Sequence, residues 1–458
     1  MLGNDFRSFL QEVKEKFPSD YIEIDQEISA LYETTAIVTK LERQRRTPIL
    51  HFTNVKDTDF PVVVNTCASR TMVAAALGID KMDLPHKYRD ALNNLIEPAR
   101  VQDAPIHEVI MTGDEADILK LPQMRYHDTD GASYISGGIV MARDPDTGSY
   151  SCSYNRLMIK GSRRLGIYMT PGRHIGQIYE KAEQRNQPME LAICLGNHPA
   201  WCMGALFIGS YHIDERHVMG GLMDSPLEVV QAKTVDLEIP ARSEIVIEGE
   251  IAPFEREEEG PYGEFTGYSA GQVSRPFIKV KAITHRKGAI FQDVCGGPHR
   301  ELLLMSTIPM EPSILDYLQK NIPAVQSVRC PAPFTLFVAI KKSRDGQAKQ
   351  VLLTAFAADM QVKHCVVVDD DIDITNNQAV IQAIATRAQA DRDLFIIKGV
   401  THDELDPSRQ EGKPISDKVG VDATAKPSLD IFAAKPKVPE EVMERINLED
   451  FIGENGDQ

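Results

Sequence analysis

The sequence predicts a mixed α/β protein of three units, and three observations carry that prediction. The chain has 458 residues, enough for three domains of about 150 residues each. Its first hundred or so residues mix helical and strand periodicities, whereas residues from about 105 to 310 read as short alternating segments between Gly/Pro turns. Beyond 310, helix and strand alternate again, the pattern of an α/β sheet domain. The expected boundaries are 1–110, 111–310 and 311–458.

In the first unit, DFRSFLQEVKEKF has apolar residues at helical spacing behind Asp5, a residue suited to cap the helix. PVVVNTCAS reads as a short buried strand, and MDLPHKYRDALNNLIEPARV as a helical segment ending near Pro98. In the second unit, EIVIEGEI sets Ile245, Ile247 and Ile251 against polar neighbours, the signature of a half-buried strand, and PFIKVKAITHR repeats it. YNRLMIKGSRRLGIYM predicts a hairpin turning at Gly161-Ser162-Arg163, and GRHIGQIYEKAEQRN a helix between strands. Strands of this length and spacing predict a barrel or sandwich. The third unit runs through EPSILDYLQKNI, FTLFVAIKK, QVLLTAFAADM, KHCVVVDDDIDI, NQAVIQAIATRAQ and DLFIIKG to an acidic tail, LEDFIGENGDQ, expected to fray.

Composition narrows the function. Fifty Lys and Arg against 67 Asp and Glu leave a net charge of −17, which disfavours non-specific binding to nucleic acid or an anionic membrane. No apolar run approaches the roughly 18 residues of a membrane span, and the N-terminus lacks the layout of a signal peptide. Seven scattered cysteines without a CxxC pair argue against a disulfide framework or a zinc–thiolate site. The expectation is a cytoplasmic protein.

Four stretches offer chemistry. VVVDDDIDITNNQ has three adjacent acids, but neighbouring strand residues point to opposite faces, so turn and capping roles are expected over a metal site. CGGPHREL places His299 and Arg300 beside a flexible turn, within reach of a ligand or simply at the surface. YMTPGRHIGQ puts His174 at a helix start, where backbone N–H groups suit a phosphate and an imidazole suits a metal; an ordinary loop histidine is the alternative. FEREEEGPYGEF is the most pointed: the Gly-Pro-Tyr-Gly turn can bring Glu259 and Glu264 to one side, while Glu255, Glu257 and Glu258 face water. Two close carboxylates need a cation, and Arg156 in SYNRLM offers one; together they make an acid/base device for an anionic substrate. A two-carboxylate glycosidase is a rival, although one Trp in the chain gives it little to stack a sugar on.

These residues together resemble the UbiD family of reversible decarboxylases. The resemblance rests on EGPYGEFTGY at 259–268, DLEIPARSEIVIEG at 236–249, VVVDDDIDI at 366–374 and DKVGVDATAKP at 417–427, in family order. It implies an α/β N-terminal domain, a split β-barrel that binds prenylated FMN, and an α/β C-terminal domain through which such proteins form homodimers or larger assemblies. It also implies a flavin prenyltransferase as cofactor supplier, a divalent metal (Mn²⁺ or Mg²⁺) and K⁺ at the cofactor phosphate, and a small aromatic, heteroaromatic or acrylic acid as substrate, with CO₂ as product. Carried across by motif, Arg156 is the catalytic arginine and a cofactor contact, with Glu259 and Glu264 its carboxylate partners. Arg173, His174, Glu215 and Lys418 fall on cofactor-end positions, His174 and Glu215 being metal ligands. Where the family has a metal-binding Asn, five residues before Arg156, this chain has Ser151, whose hydroxyl suits a hard cation; Asn155 is a second candidate. His299 and Arg300 lie where the family often faces substrate, and a His there favours a heteroaromatic or hydroxylated ring. A non-catalytic accessory subunit is the remaining alternative, and retention of Arg156, Glu259 and Glu264 counts against it.

Overall fold

A computed structural model describes residues 1–102, 104–170, 172–410, 412–426 and 436–452. The end of the acidic tail, predicted to fray, lies outside the described residues, as does Pro427 of the late lysine motif. The helix Phe6–Lys16 begins as predicted: the Asp5 side chain accepts from Ser8 N–H, and Ser8 closes a reciprocal capping box. Its buried Phe6, Phe9, Leu10 and Val13 seal one end of the N-terminal unit. The strands there run Tyr21–Ile24, Ile49–Phe52, Val62–Val64 and Phe291–Gln292 in sheet order. The last comes from far along the chain and pairs parallel to Val62–Val63, tying the first unit to the second. The segment predicted to be helical as far as Pro98 leaves the helix at Asn93. The cause is tertiary: Ile96 N–H donates to His217 O at 3.2 Å, and Ala99–Arg100 then joins a small sheet beside Glu228–Gln231.

The second unit is a nine-stranded antiparallel half barrel. Its path is Tyr134–Ile135, Leu157–Gly161, Arg164–Ile167, Phe277–His285, Ile245–Ile251, Met189–Leu195, Ile139–Arg143 and Tyr150–Tyr154, with Val109–Thr112 added to Phe277–His285. The predicted hairpin at Gly161-Ser162-Arg163 is present. Ile245–Ile251, expected to be half-buried, is covered on both faces: Ile245, Ile247 and Ile251 enter one core, and Val246 another with Trp201 and Met219. The polar residue in that second row, Glu248, is fully buried and accepts from the backbone N–H groups of Lys233 and Thr234 at 2.9 and 2.6 Å.

The third unit has a five-stranded sheet in the order Val325–Arg329, Thr335–Ile340, His364–Asp369, Ile415–Asp422, Leu394–Thr401. The three central strands are parallel and the two edges antiparallel. The helix predicted over EPSILDYLQKNI is longer, running Arg300–Asn321 through Pro309 and Pro312. It is buried against the second unit at Leu304, Met305 and Ile308, and against the third at Ile314, Leu315 and Leu318. Among the described residues, no helix is long and apolar enough to cross a membrane.

Candidate active site

Arg156 sits between two strands of the half barrel, where the chain steps from Tyr150–Tyr154 to Leu157–Gly161. Asn155 pins that step by donating to Tyr168 O (2.9 Å), while its own oxygen accepts from Ser153 Oγ (2.9 Å). The Arg156 guanidinium makes a two-pronged pair with Glu259, Nε to Oε1 at 2.9 Å and Nη2 to Oε2 at 2.6 Å, and its Nη1 donates to Glu264 Oε1. All three residues are buried. Tyr168 and Tyr262 face the guanidinium, with ring centroids 4.3 and 5.3 Å from Cζ.

The turn between the two glutamates contains a cis Gly260–Pro261 bond and is clamped from the 126–134 loop. Asp130 accepts from Gly263 N–H (2.9 Å), and Pro261 O accepts from Gly131 N–H (2.8 Å) and Tyr134 OH (2.9 Å). Burial pushes the Glu264 carboxyl above its ordinary value; Arg156 opposes this, while Glu259 and Asp403 add to it. Burial would lower Arg156, but its bonds to Glu259 and the charges of both glutamates hold it above the usual value. The outcome is one arginine kept charged between two carboxylates, the second of which holds a proton unusually well. The other glutamates of the run are surface ion pairs or contacts: Glu255 with Lys279 (2.7 Å), Glu257 with Lys160 (2.9 Å), Glu258 with Gln272 (2.9 Å).

A second polar cluster forms where the edge strand Tyr150–Tyr154 meets two helix starts. The edge N–H groups of Tyr150 and Cys152 are capped by the carboxylates of Asp214 (3.1 Å) and Glu215 (3.3 Å), at the start of the helix Glu215–Met223. The buried Glu215 also pairs with His174 Nδ1 at 2.8 Å, at the start of the helix His174–Gln184. Arg173 is the residue before that helix, and no side chain caps its first N–H groups. Ser151 pairs across the sheet with Ala142, whose core also includes Ile175 and Ile178 of the same helix. The Ser151 hydroxyl is buried and has no hydrogen-bond partner. Burial raises the Glu215 carboxyl, with His174 opposing. An orphaned hydroxyl, a His–Glu pair and an uncapped helix start fit a divalent cation and a phosphate. Among the described residues no three His, Cys, Asp or Glu side chains converge as a metal cluster, so a metal here would need an oxygen donor such as Ser151. Asn155 is committed to Tyr168 and Ser153.

His299 is held by Glu42 (Nδ1 to Oε2, 3.0 Å) and stacks on His127 at 6.5 Å. A Cβ on Gly263 would strike the His127 ring, so these imidazoles lie beside the chain entering Glu264. Arg300 instead opens on a cleft between the first and third units, lined by none of the triad residues. Lys418 is buried in the third sheet, where its ammonium donates to Met360 O (3.1 Å) and Val362 O (2.6 Å). In the acidic triplet, Asp369 and Asp371 both bind Arg387 (2.7 and 2.8 Å), the structural role expected of them.

Sequence reading missed Tyr168, the 402–406 loop, and Asp293. Glu404 accepts from Tyr168 OH and from Arg275 (3.0 Å), bringing the third unit onto the tyrosine that covers Arg156. Asp293 is fully buried beneath the site and accepts from Tyr126 OH (2.7 Å) and Ser136 Oγ (3.0 Å), with Tyr126 edge-on to Tyr262 at 6.1 Å. Tyr262 lies inside the EGPYGE turn and carried a signal; Glu404 lies in THDELDPS, which has no pattern distinguishing it from a surface loop.

An arginine pinned between two buried carboxylates on a half barrel is an arrangement suited to binding an anion and moving a proton beside it. Three consecutive segments match one family: the 3-octaprenyl-4-hydroxybenzoate carboxy-lyase N-terminal domain over residues 16–92, its Rift-related domain over 99–299 and its C-terminal domain over 303–423. The chain belongs to the UbiD family and is a carboxy-lyase. It is 32% identical to anhydromevalonate phosphate decarboxylase of Methanothermobacter thermautotrophicus, covering 92% of this chain and 96% of that one. It is 34% identical to gallate decarboxylase of Lactiplantibacillus plantarum, covering 89% of each. The UbiD-class enzyme HmfF of Pelotomaculum thermopropionicum, solved with FMN, superposes with a TM-score of 0.91 at 34% identity, over 98% of this chain and all of that one. An evolved dimeric form of HmfF solved with prFMN gives 0.87 at 32% identity, over 98% and 100%.

Proposed function

We propose that the protein catalyses reversible, non-oxidative decarboxylation of an aromatic, heteroaromatic or α,β-unsaturated acid with prenylated FMN. The observation that carries this reading is the Arg156–Glu259–Glu264 network, because a buried arginine with one proton-holding carboxylate matches the demands of CO₂ loss. Prenylated FMN, when bound, supplies the electron sink that no side chain offers. Arg156 binds the substrate carboxylate with its planar fork. Glu259 orients that fork from the opposite edge and balances its charge. Glu264 delivers a proton to the carbon that has lost CO₂, and recovers it in the carboxylation direction. His299, fixed by Glu42, reads a ring heteroatom or hydroxyl. At the cofactor's phosphate end, Ser151, His174 and Glu215 hold Mn²⁺ or Mg²⁺, and Arg173 with the uncapped helix start meets the phosphate; K⁺ completes the charge balance. We further propose a cytoplasmic homodimer that depends on a flavin prenyltransferase for its cofactor.

The test is to co-express the chain with a flavin prenyltransferase, purify it anaerobically, record its absorbance, and assay CO₂ release from a panel of aromatic and acrylic acids. Absence of a flavin-like chromophore would sink the reading. Metal analysis of Ser151→Ala tests the donor set independently of turnover. Metal content should fall in that variant, and unchanged occupancy removes Ser151 from the ligands.

A further inference from the structure

A cavity of about 950 Å³ is not lined by the triad. It opens between the first and third units, with the helix Arg300–Asn321 along its floor. Six cationic side chains line it: Arg45, Arg70, Lys81, Arg89, Arg300 and Arg329. In a chain of net charge −17 such a concentration needs a physical reason.

The acids in the cleft do not supply one. Glu311 is buried and is shared between Arg70 (2.7 Å), Arg329 (3.8 Å) and the Cys330 N–H (2.9 Å). Glu42 is taken by His299 and by the Arg300 backbone N–H (2.6 Å). Asp373 closes its own turn onto Thr375, and Asp370 also lines the cleft. Arg45, Lys81 and Arg300 have no ion-pair partner among the described residues, and Arg70 Nε is buried without an acceptor. Burial lowers Arg329, Glu311 opposes this, and the charges of Arg70 and Arg300 lower it further, so the three guanidiniums act on one another. Arg70 and Arg329 thus share one carboxylate, and Arg300, whose charge Glu42 offsets in part, adds a third guanidinium to the same half-enclosed space. Like charges at that spacing repel unless an anion joins them.

We propose that this cleft binds a small dianion of the phosphate-monoester class on the Arg70–Arg300–Arg329 wall, with Arg45 and Lys81 at its mouth. Guanidinium forks match phosphate oxygens in pairs, which suits three arginines better than a monovalent ion does. Asp370 and Asp373 in the same lining disfavour an extended polyanion. Leu303 lines both this cleft and the small pocket beside Phe265, next to Glu264. The same phosphate chemistry can therefore come from a phosphorylated substrate reaching through from the triad or from a separate phosphorylated ligand. The inference does not depend on the decarboxylase reading, because binding is read without turnover.

The test is calorimetric titration of the cofactor-loaded protein with inorganic phosphate at low ionic strength, for wild type, Arg300→Gln and Arg45→Gln. Saturable binding at one site per chain, weakened at least tenfold by Arg300→Gln and less by Arg45→Gln, is expected. No saturable binding, or equal binding in wild type and Arg300→Gln, overturns the proposal. Both variants leave the Arg70–Glu311 pair intact, and thermal melting verifies that each is folded. If phosphate raises KM for the acid without changing kcat, the dianion lies on the substrate's path; if it binds without altering either, the ligand is separate.

Discussion

At the scale of single residues, burial decides which carboxylates can handle protons. Glu264 is raised by burial against the pull of Arg156. A catalytic step that needs its proton should therefore run best at low pH and fall as pH rises through the raised value. Glu264→Gln keeps the size and a hydrogen-bonding group beside Arg156 but cannot cycle a proton. It should retain flavin absorbance and lose turnover by about 10²–10⁴-fold, and full activity would remove Glu264 from the proton path. Asp293 tests the same physics without touching the substrate. Burial raises it from 3.8 to about 6, with Tyr126 and Ser136 opposing. A raised acid stabilises the fold below its unfolded value and loses that contribution as pH climbs through about 6, a change of about 3 kcal/mol between roughly pH 4 and 7. In Asp293→Asn the amide takes the place of Oδ2, which has no partner. Urea unfolding should then show wild type losing stability relative to the variant across that window; parallel pH profiles would show that Asp293 does not titrate there.

At the scale of elements, the strand Arg164–Ile167 has to leave room for Glu259. A Cβ on Gly166 would lie 3.3 Å from Glu259 Cγ and 3.4 Å from Met158 Cβ, so a branched side chain must push the glutamate off Arg156. Gly166→Val should lower kcat by about 10-fold or more, at about 1–3 kcal/mol of overpacking, and a variant with normal kcat would show that Glu259 can be displaced without consequence. Local chemistry made several elements readable: Asp5 announces its helix, the Gly161-Ser162-Arg163 turn its hairpin, and EGPYGE its pair of carboxylates. Long-range contacts hid others. Ile245–Ile251 reads as half-buried because Glu248 interrupts its second row, but backbone N–H groups from residues 233 and 234 satisfy that carboxylate inside the core. The predicted helix begins at Glu311, whereas the observed one runs on from Arg300 through Pro309 and Pro312 because it is packed on both sides. The arginine cleft was illegible for a similar reason, since Arg70, Arg300 and Arg329 meet only after the first and third units come together.

At the scale of the whole molecule, the triad belongs to the second unit, but its cover does not. Tyr168 stacks on Arg156 from within the half barrel, and its hydroxyl donates to Glu404, which Arg275 also holds at 3.0 Å. Glu404 arrives on the 402–406 loop of the third unit, whose neighbour His402 packs on Phe334, and Phe334 in turn on Phe265 beside Glu264. One carboxylate thus joins two units directly over Arg156. Hydrogen bonds to a charged group contribute about 1.5–3 kcal/mol each. Removing Glu404 should therefore shift the docking of the third unit by at least roughly tenfold toward an undocked arrangement. Glu404→Ala leaves Arg156, Glu259 and Glu264 in place, so flavin content should hold while kcat drops and the radius of gyration in solution scattering rises. Tyr168→Phe provides the contrast: it keeps the ring over Arg156 and loses one of the two bonds to Glu404, so its kcat should fall between wild type and Glu404→Ala. If Glu404→Ala turns over normally with an unchanged radius, docking of the third unit rests on the Phe265–Phe334–His402 contacts and the shared helix Arg300–Asn321 rather than on Glu404.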